Sequence, residues 1–257
     1  MNEIPSFSIA PPPMDSVALW YVGTELSKDR LAACESVLSE EERLRANSFH
    51  FEKDRRQYVV ARGSLRHLLG ALLGIEAGGI EFAYGRFGKP LLKLEGGAGE
   101  AFHFNLAHSG THILIGVSPN LEIGVDLEAL SPGEVRMAPL VRNICTSSEA
   151  AWVEGLGVLE KELALSRLWT AKEAILKAIG SGFQIPPDQV EIEEPVLHGH
   201  CGPYGTRIFD RQNEKVVDVF PMPEFESERG CSAAFAIAGA AVDGESVCVD
   251  RRGALWD

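Results

Sequence analysis

Hydrophobic positions return along this chain with two periods, and the switching between them marks out the elements. VALWYVG (Val17 to Gly23) is an apolar run of strand length. From Asp54 to Leu73, Tyr58, Ala61, Leu65, Leu68, Leu69 and Leu72 recur at helical spacing, and Gly74 stops the pattern. A charged helix precedes it: Ser39 with Glu42 forms a capping box opening SEEERLRANSFHF. Short strand-like pieces punctuated by glycine follow, namely IEFAYG (80–85), KPLLKL (89–94), FHFNLAHS (102–109), HILIGVS (112–118) and EIGVDLE (122–128). Beyond SPGE a helical segment runs through Val141 to a second capping-box pair, Thr146 with Glu149. A long helix then spans Leu159 to Ile179, with Gly180 and Gly182 to end it. VEIEE (190–194), RIFDRQ (207–212), KVVDVFP (215–221) and SAAFAIAG (232–239) read as antiparallel strands, with turns at Gln212-Asn213 and Glu228-Arg229-Gly230. Helices and strands in mixed order, without regular βαβ alternation, predict an α+β fold rather than a doubly wound sheet.

The pattern also echoes itself. Tyr58-x-x-Ala61-Arg62-x-x-Leu65-Arg66 can be laid on Trp169-x-x-Lys172-Glu173-x-x-Leu176-Lys177, and each long helix follows a capped one and precedes strands. The expectation is two similar α+β halves related by a pseudo-twofold, 17–119 and 120–242, with a site in the cleft between them. Residues 1–16, with Pro11, Pro12 and Pro13, read as an extended leader, and 243–257 as a tail.

Composition narrows the partners. The chain of 257 residues has 24 basic against 37 acidic side chains, a formal net charge of −13. Such a surface repels nucleic acid, so no nucleic-acid partner is expected, and an anionic ligand needs a local concentration of Lys and Arg. Five scattered cysteines without a CxxC pair give neither a zinc site nor a disulfide framework. There is no secretory n-region or h-region at the start and no apolar run long enough for a membrane span, so a soluble, cytoplasmic protein is expected. Two fused halves would let a monomer be complete.

Three stretches carry chemistry. Trp169, Glu173 and Lys177 are spaced i, i+4, i+8 and stack on one helix face. Asp126 and Glu128 are i, i+2 on an apolar strand and share a face, opposite Val125 and Leu127. Two carboxylates so placed are either a solvated strand end or a site for a cation such as Mg²⁺, with Glu173 as a third oxygen ligand or a base. FNLAHSG puts His108 at a strand end, and Gly88-Lys89-Pro90 puts a lysine on a tight turn, where backbone N–H groups and an ammonium meet an anion. Arg43, Arg45, Arg55, Arg56, Arg62 and Arg66 make the densest basic region, as solvated helix faces or as an anion site for a phosphate-rich ligand.

FNLAHSG, then GVDLE, then W-x-x-K-E-x-x-x-K, in that order, resembles the three signature motifs of Sfp-type 4′-phosphopantetheinyl transferases. Gly88-Lys89-Pro90 and Thr146-x-x-Glu149 also fit, and the resemblance runs from about Leu38 to about Ala238. It implies two similar α+β halves and the transfer of the phosphopantetheine arm of coenzyme A, the co-substrate, to a serine of an apo acyl or peptidyl carrier protein. The 3′,5′-ADP portion is released. The pathways it implies are fatty-acid, polyketide or non-ribosomal peptide synthesis. By the match, Asp126, Glu128 and Glu173 would hold Mg²⁺, and Asp126, Glu173 and Lys177 would carry catalysis, Glu173 taking the serine proton and Lys177 contacting phosphate. Lys172 would lie beside the metal carboxylate. His108 would contact the 3′-phosphate with Arg45 and Arg62, and Lys89 with Pro90 would lie near the adenine. Apolar residues around Phe183, Ile185 and Pro186 are candidates for docking the carrier.

Two positions depart from the family: Ala107 stands where it usually has Ser, and Glu42 where some relatives are basic. Both bear on the phosphate pocket. The alternative reading is a non-catalytic coenzyme A-binding or carrier-docking protein of the same fold.

Overall fold

The computed structural model describes residues 9–14, 16–93, 102–130, 137–180, 184–192, 198, 203–210, 213–238 and 248–256. The apolar run at the start forms β1 (Ser16–Gly23), followed by α1 (Lys28–Ser36). The predicted capping box opens α2 (Glu40–Asn47), with Ser39 Oγ accepting from the Glu42 amide and Glu42 from that of Ser39. The amphipathic period of the first long helix becomes α3 (Glu52–Leu73), closed by Gly74 at φ 67°. A hairpin of β2 (Phe82–Tyr84) and β3 (Pro90–Leu92) follows, then β4 (His103–Ser109), β5 (His112–Ser118) and β6 (Glu122–Ala129).

The second stretch runs α4 (Met137–Ile144), α5 (Ser147–Glu154) and α6 (Val158–Ile179), with Thr146 and Glu149 capping α5 as predicted. It finishes with β7 (Tyr204–Asp210), β8 (Asn213–Pro221), α7 (Glu224–Arg229), β9 (Cys231–Ala238) and β10 (Cys248–Ala254). The fold is α+β, as expected.

Two four-stranded sheets carry the architecture, ordered β10-β1-β5-β4 and β6-β9-β8-β7. The period-2 alternation of β1 and β5 decides what each face meets. Ala18, Trp20, Val22, Ile113, Ile115 and Val117 pack with α3, whereas Val17, Leu19 and Leu114 turn to the second sheet. Ile123, Val125 and Leu127 of β6 meet them there, joined by Phe220 and Phe235, whose rings stack at 4.4 Å. On the other side of the second sheet Ala234 and Ala236 pack with Leu168, Ala171 and Ile175 of α6. Each sheet therefore has a 22-residue helix on its outer face and an apolar layer shared with the other sheet.

Three sequence expectations differ from the fold. Val190–Ile192 form no strand, because Val190 and Ile192 are pinned in the α6 core and the Ile192 amide is held by Glu149 Oε1 at 2.9 Å. The turn expected at 228–230 is the end of α7, a helix capped by Gly230 at φ 64°. Within the expected tail, Cys248–Ala254 pair in parallel with β1 as an edge strand, and Trp256 Nε1 donates to Ser64 Oγ of α3 at 2.7 Å. Gly182, Phe183 and the SPGE stretch lie outside the described residues.

Candidate active site

Glycine sets the site's geometry. Gly124, Asp126 and Glu128 share the face of β6 that looks at α6, and a methyl group at Gly124 would sit 2.0 Å from the Ala174 carbonyl oxygen. Without a side chain at that position, the backbone of α6 lies directly on the strand. Such an approach brings the ladder of Trp169, Glu173 and Lys177 against the two carboxylates. Trp169 Nε1 donates to Glu128 Oε1 at 3.2 Å, and Lys177 Nζ donates to Asp126 Oδ1 at 2.5 Å. Glu173 lies one turn from each, on the wall of a cleft of about 250 Å³ that it shares with Phe87, Gly88, Lys89, Asn105, Leu176, Lys177 and Gly180.

The three acids feel one another. Burial pushes the Asp126 carboxyl up to about 7 although Lys177 pulls the other way, and Glu128 and Glu173 add to the rise. Burial likewise raises Glu173, against Lys177 and with Glu128. Asp126 is 5% exposed, and its buried Oδ2 has no hydrogen-bond partner among the described residues. A buried carboxylate oxygen left without a donor is costly unless a cation or a ligand proton meets it.

Strand β4 holds β6 from the other side. Asn105 Oδ1 accepts the Val125 amide at 2.9 Å, one residue before Asp126. Ser109 Oγ donates to Glu128 Oε2 at 2.8 Å and accepts from the Ala129 amide at 3.1 Å. Glu128 is thus oriented from both sides, by Ser109 and by Trp169. Sequence reasoning did not single out Asn105 or Ser109. Their signal was present in FNLAHSG, where two polar residues four apart lie on one face of the strand.

His108, one residue along, is exposed. Partial desolvation and the Lys177 ammonium hold its imidazole below the usual range. Ala107 is buried in the apolar layer between the sheets, so a serine hydroxyl at that position would have an apolar setting in this chain.

Other expected positions lie elsewhere. Lys172 does not stand beside the carboxylates expected to hold a metal: adjacent helix residues diverge by about 100°, which sends it to the far side of α6. There it is fully buried, donating to Glu149 Oε2 at 2.5 Å, to Ile144 O at 2.5 Å and to Pro187 O at 2.9 Å. The arginine-rich region is largely an internal framework. Arg55 pairs with Glu35, Arg56 donates to Thr24 O and Leu26 O, and Arg43 donates to Leu38 O. Arg62 and Arg66 both bind Glu42, each at 2.6 Å. Burial would raise Glu42, but Arg62, the Ser39 amide and Arg66 outweigh it and hold its carboxyl low. Arg45 differs, with its guanidinium over the Tyr58 ring, 5.8 Å from the centroid. Lys89 Nζ is held by Glu122 Oε2 at 2.7 Å and by Ala178 O at 3.1 Å, and Pro90 opens β3 beside it. Ile185 is buried in the α6 core rather than offered to a partner, whereas Pro186 is exposed.

Three hard carboxyl oxygens, one of them orphaned, suit a small divalent cation such as Mg²⁺. Lys177 stands on Asp126, and among the described residues no three ligating side chains already converge as a metal cluster.

Comparison with known proteins agrees with the motifs. A family model described as "4'-phosphopantetheinyl transferase, N-terminal" matches residues 25–120, and one for the "4'-phosphopantetheinyl transferase superfamily" matches residues 122–212. The 4′-phosphopantetheinyl transferase HetI of a Nostoc species is 36% identical over 169 residues, 66% of this chain and 70% of the relative. The 4′-phosphopantetheinyl transferase gsp of Aneurinibacillus migulanus is 26% identical over 68% of this chain and 70% of its own length. The human L-aminoadipate-semialdehyde dehydrogenase-phosphopantetheinyl transferase is 27% identical over 68% of this chain and 60% of its own. With motifs, both family models and a relative of this closeness in agreement, the chain belongs to the 4′-phosphopantetheinyl transferase superfamily.

Proposed function

We propose that this protein transfers the 4′-phosphopantetheine moiety of coenzyme A to a serine of an apo acyl or peptidyl carrier protein, with Mg²⁺ as the metal. Family membership supports the reaction, and the register of α6 on β6 supports the residues. Asp126, Glu128 and Glu173 would hold the ion, which when bound supplies charge neutralisation to the pyrophosphate. Lys177, already at the carboxylates and on the cleft wall, is placed to neutralise a phosphate oxygen as negative charge grows on the departing 3′,5′-ADP.

The serine hydroxyl attacks the phosphorus that bears the pantetheine arm. A new P–O bond forms, the phosphoanhydride bond breaks, and its electrons leave with 3′,5′-ADP. Glu173, on the cleft wall one turn from Lys177, takes the hydroxyl proton. Ser109 and Trp169 fix Glu128 so that it does not swing away. His108 and Arg45 are the groups best disposed to receive the 3′-phosphate, since Arg62 is already held by Glu42.

The observation that carries this reading is the orphaned Asp126 Oδ2 beside Lys177, Glu128 and Glu173. A non-catalytic coenzyme A-binding role is not favoured, because every member of the acidic set and Lys177 is intact. Incubation with coenzyme A, Mg²⁺ and an apo carrier, followed by mass spectrometry of the carrier serine, tests it. A gain of one phosphopantetheine that vanishes in Asp126→Ala is expected; coenzyme A binding without transfer would overturn it.

A further inference from the structure

Lys89 lies on the loop that caps the β2–β3 hairpin, yet its ammonium does not reach freely into the cleft. It donates to Glu122 Oε2 at 2.7 Å and to the Ala178 carbonyl at 3.1 Å, and its side chain is only 13% exposed. Ala178 belongs to the last turn of α6, whose carbonyls have no partner within the helix and carry the negative end of the helix dipole. Glu122 opens β6, the strand that bears Asp126 and Glu128, and its Oε1 lies 3.5 Å from His103 Nδ1. The lysine stem passes over Gly180, where a methyl group would sit 3.4 Å from Lys89 Cδ. A contact with His103, then Lys89, holds the Glu122 carboxyl down to about 2, as expected of a well-made pair.

The hairpin is otherwise slight, with three residues in each strand. Its turn is closed by Gly85 N to Lys89 O at 2.9 Å and by Gly88 at φ 85°. Phe87 stands at its tip, 40% exposed and lining the cleft. One ammonium thus ties the tip of this hairpin to the first residue of β6 and the last turn of α6, the two elements that carry the acids.

We infer that Lys89 and Glu122 are positioning residues: their ion pair fixes the Phe82–Leu92 hairpin as a wall of the cleft and sets how tightly the nucleotide end of the substrate is held. Lys89 acts through Glu122 and the α6 carboxy terminus rather than as a direct phosphate ligand. The inference rests on the transfer reaction proposed above and concerns how its site is shaped.

Glu122→Ala separates the two roles of Lys89 by sign. If Lys89 positions the hairpin, Lys89→Met and Glu122→Ala each raise KM for coenzyme A about tenfold, the equivalent of one charge-assisted hydrogen bond. The kcat stays within about threefold, and the double variant is no worse than either single one, because both remove the same contact. If Lys89 binds phosphate directly, Glu122→Ala frees the ammonium and lowers KM, whereas Lys89→Met raises it, and the inference falls. Glu122→Gln, which keeps an acceptor for Lys89, is expected to restore most of the affinity; no rescue would also count against the pair.

Hydrogen exchange supplies a readout independent of turnover. The Gly85 and Gly88 amides exchange faster in Lys89→Met and Glu122→Ala than in the unaltered protein, and unchanged exchange would overturn the inference. Unaltered protein that binds coenzyme A without transferring it would sink the reaction, while the affinities and exchange rates would still judge the pair.

Discussion

Two lysines five residues apart on α6 each meet a buried carboxylate at 2.5 Å, yet they do opposite things. Lys172 is fully buried, and its ammonium is saturated by Glu149 and two carbonyls; Glu149 in turn receives the Thr146 and Ile192 amides. Nothing in that network is left to bind. Lys177 is 30% exposed, and its partner Asp126 keeps one buried oxygen that meets no donor among the described residues. Saturation makes a pair structural; an unfilled valence beside a cleft makes it available for chemistry. Five residues at about 100° each turn the two side chains roughly 140° apart, so one helix faces the core with one side and the cleft with the other.

The contrast is broken most severely at the site. Glu173→Gln is expected to lower kcat about 10²–10⁴-fold with little change in melting temperature, measured by carrier modification and thermal unfolding. Lys172→Met should do the reverse: it strands Glu149 and destabilises the fold by about 3–5 kcal/mol, read from urea unfolding, while activity per folded molecule persists. If Lys172→Met folded normally but lost turnover, the division of labour would be wrong.

Gly124→Ala tests what holds the two sets in register. The added methyl meets the α6 backbone at two points, 2.0 Å from Ala174 O and 2.3 Å from Ala178 N, so α6 must move. A loss of about 1–3 kcal/mol is expected, with kcat falling more steeply than stability predicts. Equal melting temperatures and equal kcat would show that the close approach does not matter.

The smallest effect belongs to a third pair, Lys89 with Glu122, whose carboxylate is 46% exposed. Its pKa is held down to about 2, so its contribution to stability is present above the unfolded value of about 4.5. That contribution is lost as pH falls from there through about 2. Solvent screening keeps it modest, and Glu122→Gln should flatten this part of the acid limb in melting curves.

Local grammar was legible in the sequence, and distance in space was not. Both capping boxes, the ends of α3 and α6 at glycine, and the stacking of Trp169, Glu173 and Lys177 follow from spacing alone. So do Asp126 and Glu128 on one face of β6. Lys172 was misplaced because a motif groups residues by adjacency whereas a helix separates neighbours. The arginines were read as solvated helix faces or an anion site because their acceptors, Glu42 and the Thr24 and Leu26 carbonyls, are brought to them only by folding. Helix α7 was hidden in EFESER, too short for a periodicity, although Pro223 before it and Gly230 after it were fair signals. Strand β10 was invisible because its parallel partner is near the other end of the chain.

That last pairing has a bearing on how the molecule is made. Residues 16–21 wait for residues 248–254 before the first sheet has its outer strand, and Ser64 waits for Trp256. During synthesis the leading portion therefore emerges with one sheet margin bare and an indole-sized gap beside α3, and contacts of such long sequence separation are slow to close. Truncating the last ten residues should be felt by the opening segment, at β1 and beside Ser64 of α3.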